Sequence, residues 1–154
     1  VIDAPIPGTT YFTDASSLTH RAAVVWLEGK DWKAITWEGR APSVQWLEAK
    51  AVTIALGLEP SQHINICTDS MYVFKLIRLM KYSGAPNSAI AEMLSDALQL
   101  RSGTVAIMHT RSHTDCPGPI VEGNRKADEK ATGVWSVQEA RKLHEFLHLG
   151  ARAL

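Results

Sequence analysis

Thr9-Thr10-Tyr11-Phe12-Thr13-Asp14, entered through Pro7-Gly8, is a run of β-branched and aromatic residues that closes on an acid. Such a run reads as a strand, and the proline and glycine before it mark its start. Outward from it, Ala22-Ala23-Val24-Val25-Trp26-Leu27 reads as a second strand and Glu28-Gly29-Lys30-Asp31 as a turn. Trp32-Lys33-Ala34-Ile35-Thr36-Trp37 then alternates large apolar and polar residues, the period of a half-buried strand. Three strands so closely spaced predict an antiparallel meander.

The period then lengthens. From Ser43 to Leu56, Val44, Leu47, Ala51, Ile54 and Ala55 fall on one helical face, with Ser43 placed as N-cap. His63 to Thr68 reads as a short buried strand. Met71 to Tyr82 returns to helical spacing, with Val73, Leu76, Ile77 and Met80 on one side. Asn87–Leu100 reads as a further helix, Thr104–His109 as a fifth strand, and Glu122–Thr132 as a helix after a loop rich in Pro and Gly. This order predicts an α/β fold: a five-stranded mixed sheet, meander plus parallel strands, flanked by helices.

Composition narrows the function. Sixteen basic and sixteen acidic residues give a formal net charge of zero, which argues against strong autonomous binding to nucleic acid. No apolar run approaches the roughly 18 residues needed to cross a bilayer, and the start, Val1-Ile2-Asp3-Ala4-Pro5, is not a secretory signal. It carries no initiator methionine, which reads as a domain cut from something larger. The two cysteines, Cys67 in an apolar strand and Cys116 in a proline-rich loop, form no CxxC pair, so they read as thiols in a reducing compartment.

The chemistry lies in four acids. Asp14 and Asp69 end strands, Glu48 lies inside the first helix in Gln45-Trp46-Leu47-Glu48-Ala49, and Asp128 follows Gly123-Asn124-Arg125-Lys126-Ala127 in the last helix. Taken singly, a strand-end Asp is a turn residue and a helical Glu is solvated. Jointly, two neighbouring strand ends and two covering helices can gather their carboxylates. Alone, such a cluster repels itself. Divalent cations resolve the conflict, because Mg²⁺ prefers oxygen ligands and two ions about 4 Å apart suit phosphodiester hydrolysis.

Tyr11-Phe12-Thr13-Asp14-Ala15-Ser16-Ser17, Gln45-Trp46-Leu47-Glu48-Ala49, Thr68-Asp69-Ser70, Arg111-Ser112-His113-Thr114, Pro117-Gly118-Pro119, Glu122-Gly123-Asn124 and Ala127-Asp128 occur in one order. Together they resemble retroviral ribonuclease H domains of the alpha- and betaretroviral kind, over roughly residues 9–133. The resemblance implies the ribonuclease H-like fold and cleavage of the RNA strand of RNA–DNA hybrids. It implies two Mg²⁺ or Mn²⁺ ions held by Asp14, Glu48, Asp69 and Asp128, and a role for His113 in proton transfer or product release. It further implies partners in the reverse transcriptase polymerase and connection domains, an integrase downstream, no membrane, and a place in the virion and host cytoplasm.

RNA differs from DNA by its 2′-hydroxyls, displayed across the wide minor groove of A-like helices. Ser16, Gln45, Ser70 and Asn124 are small polar candidates for reading them. The resemblance puts Gln45 at the hybrid and Tyr72 against the DNA strand; a solvated Gln and a core Tyr fit the sequence equally. Lys75, Arg78 and Lys81 recur every three residues, as a phosphate-binding ridge or as a solvated face. The tryptophans sit in strand and helix patterns, which favours packing over base stacking. Ser83-Gly84-Ala85-Pro86 carries no basic cluster where some relatives have a basic helix and loop. Hybrid affinity is therefore expected to come mostly from a neighbouring polymerase domain, with weak activity for this chain alone.

After Trp135 the pattern changes again. His144 and His148 stand at i and i+4, a spacing that can hold one metal. Residues 135–154 resemble a linker and the first helix of the integrase amino-terminal zinc-binding domain, so the domains divide at 1–134 and 135–154. Structural zinc normally takes four ligands, and the cysteine pair of that family is missing here, leaving half a site. Two other readings remain: a nucleic-acid-binding scaffold without catalysis, which a missing carboxylate would mark, and a cellular-type ribonuclease H. A Ser or Cys hydrolase has no supporting constellation.

Overall fold

The computed structural model describes residues 1–29 and 31–109. The helix expected at 122–132, the candidates His113, Asn124 and Asp128, and the tail with His144 and His148 lie outside the described residues. Within them run β1 (Thr9–Ser16), β2 (Arg21–Glu28), β3 (Asp31–Glu38), α1 (Val44–Leu56), β4 (Ile64–Thr68), α2 (Met71–Ser83), α3 (Ala89–Gln99) and β5 (Val105–His109).

The strands form one sheet in the order β3-β2-β1-β4-β5. β1, β2 and β3 are antiparallel, the expected meander, and Gly29 at φ 65° supplies the left-handed backbone its turn requires. β4 and β5 run parallel to β1, which demands crossovers; α1 provides the first, α2 and α3 the second. β1 is thereby central, and Asp14 lies two residues inside it, not at its end as the sequence suggested.

Central parallel strands are buried on both faces, and β4 and β5 are buried throughout. Tyr11, Val24, Ile64, Ile66, Val105 and Ile107 pack with Val52, Leu56, Val73, Ile77 and Leu94 of the helices. The alternate residues Phe12, Val25, Cys67 and Met108 are buried on the other face. Against the sheet α1 presents Leu47, Ala49, Ala51, Val52, Ala55 and Leu56, its alanines permitting close approach. Val44, assigned to the buried face from spacing, is 40% exposed because it opens the helix, ahead of the turn that meets the sheet. Ser43, Ser70 and Ser88 cap the three helices, each hydroxyl accepting an N–H from Trp46, Val73 or Ala91 at 3.1 Å. Trp26 packs on Tyr11 and Trp37 on Trp46, so these three tryptophans serve packing as expected.

The link from α1 to β4 is held by Arg101. Its Nη1 donates to the carbonyls of Leu56 (2.7 Å) and Leu58 (3.2 Å), and its Nη2 to those of Gln62 (2.6 Å) and Glu59 (3.4 Å). Nε donates to the Gly103 carbonyl at 3.1 Å, and Gly103 lies so near Gln62 that a Cβ would stand 2.1 Å from its carbonyl oxygen. A guanidinium at a helix C-terminus also meets the negative end of its dipole. On the same link, the Tyr11 hydroxyl donates to Glu59. The first residues dock too: Ile2 N–H donates to Val105 O at 2.8 Å, a parallel bridge covering the β5 edge, and Ile6 exchanges two hydrogen bonds with Asn65.

Candidate active site

The register of β1 on β4 builds the site. Tyr11 pairs with Ile66, Phe12 with Cys67 and Thr13 with Thr68, so the next residues, Asp14 and Asp69, fall side by side. The Thr13 hydroxyl donates to the Cys67 carbonyl at 3.4 Å and ties the two strands just before the acids. Asp14 is 6% exposed, and its carboxylate accepts the Ala15 N–H at 2.8 Å. Asp69 hydrogen-bonds the Asp14 side chain.

α1 crosses β1 and brings Glu48 over the pair. Glu48 is half-buried, hydrogen-bonded to Ser70, and near enough to both aspartates for charge to act between them. Burial raises the Asp14 carboxyl to about 6; the Glu48 charge adds to this, while hydrogen bonds to Asp69 and Ala15 oppose it. Burial raises Glu48 as well, then the charge of Asp69, against the Ser70 hydroxyl.

The other candidates divide. Ser70 is buried, caps α2 through its bond to Val73, and hydrogen-bonds Glu48. Ser16 is half-buried at the end of β1. Gln45 is exposed on the first turn of α1, one turn before Glu48. Tyr72 is 39% exposed, which discards the core-tyrosine alternative. His109 was not singled out from the sequence. It is buried at the end of β5 in register with Thr68, its Nε2 lies 3.3 Å from the Asp69 carbonyl, and its ring packs on Phe74. The sign of it in sequence is only that β5, like β4, closes on a polar residue.

Among the described residues no group of three or more His, Cys, Asp and Glu side chains stands ready to hold a metal ion. The donors nevertheless fit one. They are all oxygens, the set hard divalent cations prefer, and a cation would relieve the charge that Glu48 brings to Asp14 and Asp69 brings to Glu48.

The family model for RNase H matches residues 7–135. The Gag-Pol polyprotein of Rous sarcoma virus subgroup B (strain Schmidt-Ruppin) is 47% identical over 155 residues, covering all of this chain and 10% of the polyprotein. The Gag-Pol polyprotein of Avian leukosis virus subgroup A has the same identity and coverage. The Gag-Pro-Pol polyprotein of Simian retrovirus SRV-1 is 33% identical over 153 residues, covering 93% of the chain and 8% of the polyprotein. The chain thus spans about a tenth of the length of the relatives it matches. With the family model covering most of its length and the fold that of a five-stranded mixed sheet flanked by helices, the chain belongs to the RNase H family, a family of nucleases that use divalent metals.

Proposed function

We propose that this domain hydrolyses the RNA strand of RNA–DNA hybrids as part of a retroviral reverse transcriptase, with Asp14, Glu48, Asp69 and Asp128 holding two Mg²⁺ or Mn²⁺ ions. The single observation that carries the proposal is the Thr13–Thr68 register, which sets two acids side by side under a third. When bound, divalent cations supply charge neutralisation for the phosphate and a water acidified for attack. The chain's own residues do the rest. β1 and β4 fix the two aspartates on rigid backbone, and α1 delivers Glu48. Ser70 orients Glu48 through its hydroxyl while capping α2. His113 moves a proton or assists product release, a task suited to an imidazole.

Gln45 and Tyr72 are exposed on helix turns beside this cluster, which supports their contact with the hybrid; Ser16, Ser70 and Asn124 complete the substrate-binding set. The domain works beside polymerase and connection domains, with integrase downstream, in the virion and host cytoplasm. Among the described residues no helix is long and apolar enough to cross a membrane. Residues 135–154 open the next module, with His144 and His148 as half of a zinc site. The support is that the family match stops at residue 135 whereas the likeness to the polyproteins covers the whole chain.

The test is cleavage of a labelled RNA–DNA hybrid, with and without Mg²⁺ or Mn²⁺, beside RNA–RNA and DNA–DNA controls. Metal-dependent loss of the RNA strand in the hybrid alone is expected. Hybrid left intact by the full chain under every metal condition would refute the proposal.

A further inference from the structure

Asp3 and the last turns of α2 are distant in sequence and joined in space. Lys81 Nζ donates to Asp3 Oδ1 at 2.8 Å, the Tyr82 hydroxyl lies 3.0 Å from each Asp3 oxygen, and Arg78 Nη2 stands 4.0 Å away. Arg78 is braced on the Phe74 ring and Lys81 on that of Tyr82. Asp3 and Tyr82 are exposed, and exposed ion pairs of this kind add little to stability. The docking of the first residues does not depend on them, because Ile2 and Ile6 are separately fixed to Val105 and Asn65.

Two donors, Lys81 and Tyr82, and the Arg78 guanidinium at ion-pair distance therefore converge on a single anion. A phosphodiester carries one negative charge over two free oxygens, as a carboxylate does, and fits the same donors. The helix begins at Ser70, beside Asp69, and leads away from the acids. Ser70 to Lys81 spans roughly 16 Å at about 1.5 Å per residue. That is about five steps along one nucleic-acid strand at roughly 3.4 Å per phosphate. Lys75 stands on the intervening turns. A chain of zero net charge needs such local groups of cations if it is to touch a backbone at all.

We propose that Arg78, Lys81 and Tyr82 form a binding site for one backbone phosphate of the nucleic-acid substrate, and that Asp3 is its resident competitor. The inference rests on the hybrid-cleaving function proposed above. Asp3 mimics the phosphate, so the chain engages hybrid without this contact until the carboxylate is removed or drawn away.

The experiment is steady-state cleavage of a hybrid by the full chain, its Asp3→Asn variant, the double variant Asp3→Asn with Lys81→Gln, and Asp96→Asn as a control on an exposed acid of α3. Asp3→Asn should lower KM about threefold or more in low salt with kcat unchanged, the worth of one recovered phosphate contact. Between about 50 and 200 mM salt its kcat/KM should fall roughly 3.5-fold further than that of the parent, the steeper slope one added phosphate gives. Lys81→Gln should erase both effects, and Asp96→Asn should show neither. If Asp3→Asn matches the parent or the control in KM and salt slope, or only lowers Tm, the phosphate site is overturned while hybrid cleavage stands. If the parent chain cleaves no hybrid, both readings fall.

Discussion

Replacing Arg101 by lysine keeps the charge and removes the geometry, so it isolates what the guanidinium does. The planar group reaches five carbonyls, of Leu56, Leu58, Glu59, Gln62 and Gly103, on both sides of the link from α1 to β4. A single Nζ can take one side only. The two short bonds, 2.7 Å to Leu56 and 2.6 Å to Gln62, set the scale. A hydrogen bond to a charged group contributes about 1.5–3 kcal/mol net, and lysine retains roughly one of them. Because Arg101 is partly exposed, water satisfies some of the released carbonyls, and the expected loss is about 2 kcal/mol. In a domain of this size that lowers Tm by roughly 6 °C. Urea denaturation should show a lower midpoint at unchanged slope. Turnover per folded molecule at 25 °C should hold, since the clamp lies at the far end of α1 from Glu48. A loss under about 0.5 kcal/mol, within the range of an ordinary surface change, would refute this account of the link.

Asp69→Asn should cut hybrid cleavage more than about 100-fold, beyond the effect of losing a residue that only orients a metal ligand. Without divalent cation the same variant should melt no lower than the parent, because a like charge leaves the cluster; a clear drop in Tm would count against the carboxylate repulsion described. Mg²⁺ should raise the parent's Tm over that in chelator, by about 2.7 kcal/mol of stability at a hundred times Kd, and Glu48→Gln should shrink the rise; equal rises would remove Glu48 from the ion site. Tyr72→Ala should raise KM for hybrid at least about fivefold with stability nearly unchanged, and an unaltered KM would leave Tyr72 a bystander.

Legibility followed periodicity. The meander and the three described helices are plain because strands repeat every two residues and helices every 3.6, and the Ser43 cap marks the start of the first. Bounds moved by a residue or two: Asp14 proved internal to β1, and the third helix begins at Ala89 after Ser88, not at Asn87. Val44 failed for a related reason, since spacing reports which residues share a face and not where along the helix that face meets the sheet. Beyond the meander, periodicity does not give the strand order. The docking of Ile2 on β5, the reach of Arg101 and the hold of Asp3 on α2 all join residues far apart in sequence, and no local pattern encodes them. The acids stood out in sequence, but only the register put two of them together.

That register is chosen by apolar groups and used by charged ones. A slip of one residue between β1 and β4 would turn Tyr11 and Ile66 to opposite faces and remove one of them from the core shared with the helices. Burying a Tyr or Ile side chain is worth about 1.5–3 kcal/mol, so the slip is opposed before any acid is considered. The same step would separate Asp14 from Asp69. Hydrophobic pairing thus fixes Asp14 beside Asp69, where the two share a hydrogen bond and Glu48 brings its charge to Asp14. The placement of the two acids therefore rests on the core beneath them, in the Tyr11–Ile66 and Phe12–Cys67 pairs.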